Sequence, residues 1–206
     1  MRSQLKALHE SASALTSRAG ITCKVGCGAC CKKPNDVWAT VAEMLPMAWD
    51  IFERGELDLF LENLQRQDST LMCAVFKQHA SISSNGLCSE YRNRPITCIL
   101  FGSSLVPTKE KTYKFLGCSW QKEIHSDHIH SAELFADAAK YDTKTLTTSI
   151  LAQIIDQNLR EEFPINQALN RALELVGWAD HLNQQSMMGP LTPTESSLRS
   201  ADRAFD

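Results

Sequence analysis

Cys23-Lys-Val-Gly-Cys27-Gly-Ala-Cys30-Cys31 is the stretch around which the rest of the chain is organised. It carries four of the eight cysteines; Cys73, Cys88, Cys98 and Cys118 follow at wider spacing. Cys27 and Cys30 form a CxxC, the short chelating loop of zinc ribbons and of many iron–sulfur sites. Gly26 and Gly28 let the backbone turn tightly beside a bound centre, and Pro34-Asn35-Asp36 closes the stretch as a turn. In extended backbone neighbouring side chains point to opposite faces. On that basis Cys30 and Cys31 feed two metals, two irons of one cluster, or one metal and one core position.

Outward from this loop the pattern is helical. Leu5, Leu8, Ala12 and Leu15 make a stripe over residues 3–18, with Ser3 as cap and Gly20 as stop. Thr40-Val-Ala-Glu43 fits a capping box. It opens a helix bearing Val41, Leu45, Ala48, Trp49 and Phe52, in which Pro46 predicts a kink or a late start. Leu57, Phe60, Leu61 and Leu64 make a further stripe ending near Asp68. Residues 71–120 read as irregular loops with one small hairpin whose turn is Val106–Lys111. Helices are then expected from Ser131 through Ala139, over about 145–161, and over 166–182 with Leu169, Leu173, Val176 and Trp178 inward. The fold class is therefore mainly α, helices packed around an irregular cysteine-rich loop region with little β structure. A single domain spans 1–185, with its motif core at 21–120. Residues 186–206, poor in large apolar side chains, form a mobile tail.

Composition excludes several classes. The 206 residues carry a net charge of −3 and are 43% hydrophobic, so one core is affordable and neither nucleic acid nor an anionic membrane is an electrostatic partner. No apolar run approaches the length of a bilayer span. The N-terminus lacks the apolar centre of a signal peptide. A cytoplasmic, reducing location follows, where eight cysteines point to metal or redox chemistry rather than disulfides. No phosphate loop, GxSxG or Walker motif is present. His125, His128 and His130 read as the solvated approach to the helix at Ser131 rather than as ligands.

These residues carry a resemblance. Gly26-Cys27-Gly28-Ala29-Cys30-Cys31 resembles the signature of the YkgJ-type cysteine-cluster family, the CxxCxxCC zinc- or iron-chelating domain. Cys73-Ala-Val-Phe76 is similar to its C-x-F element. Cys88-Ser-Glu-Tyr91-Arg-Asn-Arg94-Pro95-Ile-Thr-Cys98 resembles its C-x-x-Y-x-x-R-P-x-x-C element.

The resemblance implies that Cys27, Cys30, Cys31, Cys73, Cys88 and Cys98 ligate zinc or iron, with an iron–sulfur cluster as one form. Cys23 departs from the pattern, since three residues separate it from Cys27 where the family has two. Ile99 stands where an arginine often follows the last cysteine. Cys23 and Cys118 complete the candidate set on spacing alone. Arg94 could donate to a thiolate sulfur or to a carbonyl in the loop, and Pro95 would turn Cys98 back toward Cys88. The metal ion is the expected partner, with a protein partner of unspecified kind. The alternatives are an iron–sulfur enzyme modifying a protein, by analogy with flagellin lysine methylases, and a thiol redox sensor.

Overall fold

The computed structural model describes residues 2–23, 26–66, 72–78, 86–110, 112–134 and 156–187. Among these residues the chain is mainly α, with seven α-helices and only short antiparallel strand pairs. In chain order the elements are α1 (Arg2–Ala19), β1 (Trp38–Thr40), α2 (Val41–Glu53), α3 (Leu57–Arg66), β2 (Phe76–Gln78) and β3 (Gly86–Cys88). They continue with α4 (Ile96–Leu100), β4 (Ser104–Pro107), β5 (Tyr113–Leu116), α5 (Ser119–Ile124), α6 (Ser126–Leu134), β6 (Glu162–Pro164) and α7 (Ile165–Met187).

The main core lies between α2 and α7. Met44, Met47, Ala48 and Ile51 pack against Ala168, Leu169, Ala172, Leu173 and Val176, all buried. The alanines let the two helix backbones approach, and each buried Leu, Ile or Met contributes about 1.5–3 kcal/mol of transfer free energy. The buried face of α2 is rotated from the expected stripe, for Trp49 is 42% exposed. Trp178 of α7 likewise faces away from the core. The Thr40–Glu43 capping box forms as the sequence indicates, with Glu43 N–H donating to Thr40 Oγ1. Pro46 neither delays the start nor interrupts the helix.

Smaller clusters hold the remaining elements. Leu5, Leu8 and Ala12 of α1 cover Ile96 and Ile99 of α4. Ile21, Leu105, Phe115 and Ile129 form a third cluster under the β4–β5 hairpin. The expected hairpin forms, but its turn starts later than Val106: Val106 and Pro107 pair with Lys114 and Tyr113, and Thr108 N–H donates to the Thr112 carbonyl at 2.8 Å.

Two further pairs carry no clear local signal in the sequence. The β2–β3 pair sets Phe76 opposite Cys88. The β1–β6 pair sets Trp38 opposite Pro164 and joins the two ends of the core.

The second half of the chain differs from expectation at several boundaries. The helix assigned to Ser131 begins at Ser126, so Ser131 lies inside α6 and 135–139 lie outside the described residues. The helix expected over about 145–161 falls outside them up to 155. From Asp156 the chain is extended and then makes a 3-10 turn over Gln157–Arg160. The last helix runs on to Met187, taking in the first residues of the expected tail; 188–206 lie outside the described residues. Asp68, at the expected end of α3, also lies outside them. No helix among the described residues is long and apolar enough to cross a membrane.

Candidate metal centre

The 23–31 loop is shaped by its glycines. Gly26 and Gly28 have φ of 70° and 54°, a region glycine enters without strain. A Cβ on Gly28 would collide with the Phe76 ring, so the backbone lies directly on β2. Gly86 N–H donates to the Gly26 carbonyl at 3.2 Å, tying the loop to β3. Lys24 and Val25 are outside the described residues.

Cys30 and Cys31 are not in extended backbone. They open a 3-10 turn, Cys30–Lys32, closed by Lys33 N–H to the Cys30 carbonyl at 3.1 Å. Successive side chains of such a turn lie on neighbouring faces rather than opposite ones, and the two thiols hydrogen-bond to each other. The expectation that they point apart is corrected by this local fold.

The other thiols arrive on separate elements, each pinned by a scaffold side chain. Cys73 N–H donates to the Cys31 carbonyl at 2.7 Å. Cys88 ends β3, and Arg54, which caps the end of α2, holds the turn after it through Glu90 at 2.8 Å. Cys98 lies in α4, whose first N–H, at Ile96, donates to the buried Glu43 carboxylate at 2.9 Å. Thr97 Oγ1 also donates to the Trp38 carbonyl at 2.8 Å. Cys73 is buried in the main core, and Cys31, Cys88 and Cys98 pack against that same cluster. Cys118 caps α5, its sulfur accepting Gln121 N–H at 3.5 Å. The buried Gln121 side chain in turn donates to the Gly102 carbonyl at 3.1 Å, just beyond α4.

Electrostatics divides the thiols into two overlapping groups. Burial first, and then Cys88 and Cys30, push Cys73 up to about 12. Burial also raises Cys98, with added contributions from Cys73, Cys30 and Cys88. Cys31 is raised by its hydrogen bond to Cys30, then by burial, then by Cys30, Cys73 and Cys88. Cys30 is the exception, lowered to about 6, first because Cys31 donates to its thiolate. Cys23 is raised by burial and then by Cys27, Cys30 and Cys118. Cys30 thus acts on Cys31, Cys73, Cys88 and Cys98 and also on Cys23.

Other groups favour the thiolate form. The amide of Val75 hydrogen-bonds the Cys73 sulfur, and that of Glu90 the Cys88 sulfur. The Arg94 charge lowers Cys23, Cys30, Cys88 and Cys98 alike. Its guanidinium lies 3.8 Å from the centroid of the Tyr91 ring. Arg94 Nε is buried with no hydrogen-bond partner among the described residues. An unsatisfied buried donor costs on the order of 1–3 kcal/mol, and a ligated sulfur beside it would remove that cost.

The residues present fit a soft, thiophilic metal. All eight cysteines are free thiols, backbone N–H groups hydrogen-bond two of them, and the Arg94 charge favours the thiolate form of four. Among the described residues no three Cys, His, Asp or Glu side chains are already gathered tightly enough to hold an ion. Cys31, Cys73, Cys88 and Cys98 share a neighbourhood on one core.

The histidines hold backbone instead. His125, at the end of α5, bonds the Thr22 carbonyl at 3.1 Å; His128, in α6, bonds that of Gly20 at 3.3 Å. Their rings stack at 6.2 Å, fixing the exit of α1 that leads to Cys23. His79 lies outside the described residues. Sequence reasoning missed Asn166, Gln121 and the reach of Glu43 to Ile96. Only Glu43 carried a signal, its capping box.

Residues 22–125, just over half of the 206-residue chain, match the family model described as "CxxCxxCC: Putative zinc- or iron-chelating domain", and the chain belongs to that family. The match reaches past Cys118, which the sequence motifs had left outside. No curated protein and no solved structure matches the chain.

Proposed function

We propose that this chain chelates zinc or iron as a polynuclear thiolate centre, with Cys30 shared between two groups of ligands. The observation that carries the reading is geometric: Cys31, Cys73, Cys88 and Cys98 sit on one core cluster, and the 23–31 loop is tied to it through the Cys73–Cys31 and Gly86–Gly26 backbone bonds. Cys30 acts on Cys31, Cys73 and Cys98 on one side and on Cys23 on the other. Four thiolates saturate one zinc ion, so eight thiols in two joined groups favour more than one metal or an iron–sulfur cluster. Such a centre would supply Lewis acidity or one-electron chemistry. The protein's own part is to deliver reduced thiols, to direct the Val75 and Glu90 amides at sulfur, and to offset thiolate charge with Arg94. A reducing, cytoplasmic setting suits thiols kept free.

The test is anaerobic purification followed by metal and acid-labile sulfide analysis and a visible spectrum. More than one metal ion per chain, reduced or lost in Cys30→Ser, is the expected result. A protein with neither metal nor thiolate-to-metal absorbance overturns the reading.

One observation favours a second reading. Cys30 is exposed and its thiolate is stabilised by the adjacent Cys31 thiol, an arrangement suited to a redox sensor. It requires metal release on mild oxidation, with Cys30 the first thiol modified. Metal retained through stoichiometric peroxide treatment refutes it.

A further inference from the structure

Asn166 is the second residue of α7 and is 2% exposed. Its Oδ1 accepts the N–H of Ala74 at 2.9 Å, and its Nδ2 donates to the carbonyl of Met72 at 2.7 Å. The two bonds bracket Cys73. The peptide groups of Cys73 itself are also used, its N–H donating to the Cys31 carbonyl at 2.7 Å and its carbonyl accepting Phe76 N–H at 3.0 Å. Every backbone polar group from the Met72 carbonyl to the Ala74 N–H is therefore engaged.

A primary amide that bonds the carbonyl before a residue and the N–H after it acts like a neighbouring β-strand. It fixes the two dihedrals in between, and with them the direction of the side chain. Helix propensity gives no reason for asparagine here, since Asn is a middling helix former. Burying its amide is costly unless both ends are bonded. The sequence position is informative too, for Asn166 lies beyond residues 22–125, which match the family.

We propose that Asn166 is a positioning residue of the thiolate centre, holding Cys73 in the orientation from which it ligates. The inference rests on the reading of Cys73 as a ligand. The last helix is on this account part of the centre's architecture as well as of the core. Asn166 touches no metal; it acts through the backbone of one ligand.

The experiment compares the full-length reduced chain with Asn166→Ala, Asn166→Asp and, as a control, Asn170→Ala, whose half-buried side chain bonds Glu174 on the same helix. Zinc affinity is measured by competition with a chromophoric chelator. Protection of each cysteine by zinc is mapped by alkylation and peptide mass. Asn166→Ala should weaken zinc binding about 10–100-fold, the range for outer-shell partners. It should strip protection from Cys73 while Cys88 and Cys98 keep theirs. Asn166→Asp, which retains the acceptor for Ala74 and loses the donor to Met72, should fall between, and Asn170→Ala should match wild type.

Wild-type affinity and Cys73 protection in Asn166→Ala would overturn the inference, as would an equal loss of protection at all cysteines, which marks a general stability effect. If Asn166→Ala fails to fold by far-UV circular dichroism, Asn166→Asp decides on the same two criteria. Zinc that protects no cysteine in the wild type defeats the metal-centre reading itself. Protection that spares only Cys73 defeats the inference alone.

Discussion

Glu43 Oε1 accepts the backbone N–H of Ile96 at 2.9 Å, although the two residues lie 53 apart in sequence. The other oxygen, Oε2, accepts the N–H and the hydroxyl of Thr40 at 2.9 and 2.7 Å. One carboxylate, 4% exposed, therefore starts two helices, its own and the one that carries Cys98.

Replacing that carboxylate tests the coupling. In Glu43→Gln a carboxamide N–H₂ must face either the Thr40 donors or Ile96 N–H, so one contact is lost. Stability should fall by about 1–3 kcal/mol, read as a lower urea midpoint. Glu43→Ala should lose more, since Ile96 N–H is then left buried without a partner. An unchanged midpoint in both variants would mean that the contact is dispensable.

The Cys30–Cys31 pair predicts a pH profile in the metal-free protein. Cys30 is lowered to about 6 because Cys31 donates to its thiolate. The thiolate fraction therefore rises with pH through 6, and the rate of Cys30 alkylation should rise from pH 5 and level off near 7. In Cys31→Ala the donor is gone, and the inflection should move up toward the ordinary thiol range. Iodoacetamide kinetics with peptide mapping would show it. A wild-type inflection above pH 8 rules the arrangement out.

Arg94 should matter through charge. It lowers Cys23, Cys30, Cys88 and Cys98, so without it these thiols hold their protons to higher pH. Protons then compete better with metal, and the pH midpoint of zinc binding should shift upward in Arg94→Gln, with affinity at pH 7 falling about tenfold or more. Arg94→Lys, which keeps the charge but not the planar stack on Tyr91, should be milder. Titrations giving equal midpoints for all three proteins would remove Arg94 from the account.

Gly28→Ala should prise the loop from β2. Its φ of 54° and the Phe76 ring both oppose a Cβ, and the expected loss is at least about 1–3 kcal/mol. Gly55→Ala is the useful comparison: φ is 71° there, but a Cβ meets open space, so only backbone strain is added. Chemical unfolding should rank Gly28→Ala as the more damaging. The reverse order would show that Phe76 yields easily.

What the sequence made legible is what is encoded locally. The Thr40–Glu43 box, the hairpin before Tyr113 and the two loop glycines each declare themselves within a few residues. Ser131 was a reasonable helix start, yet Ser126-Asp127 offers the same chemistry five residues earlier, and the helix begins there. Cys30 and Cys31 carry no local sign of their geometry, which is set by a 3-10 turn closed at Lys33 and followed at once by another at Pro34. The Trp38–Pro164 pairing and the Asn166 bonds around Cys73 had no local trace. Each joins residues separated by more than 90 positions through one or two hydrogen-bonding groups, and no periodicity records such a match. The cysteines themselves were fully visible; the side chains that aim them were not.

The pairing of β1 with β6 also fixes an order of events during synthesis. All eight cysteines are synthesised before Glu162, Pro164 and Asn166. At about 5–20 residues per second, the nascent chain carries a full set of reduced thiols for seconds before the segment that seats Cys73 exists. On the proposed reading, metal loading in the final geometry would be a late event, closed by α7, and the thiols would have to escape oxidation or premature capture until that helix docks.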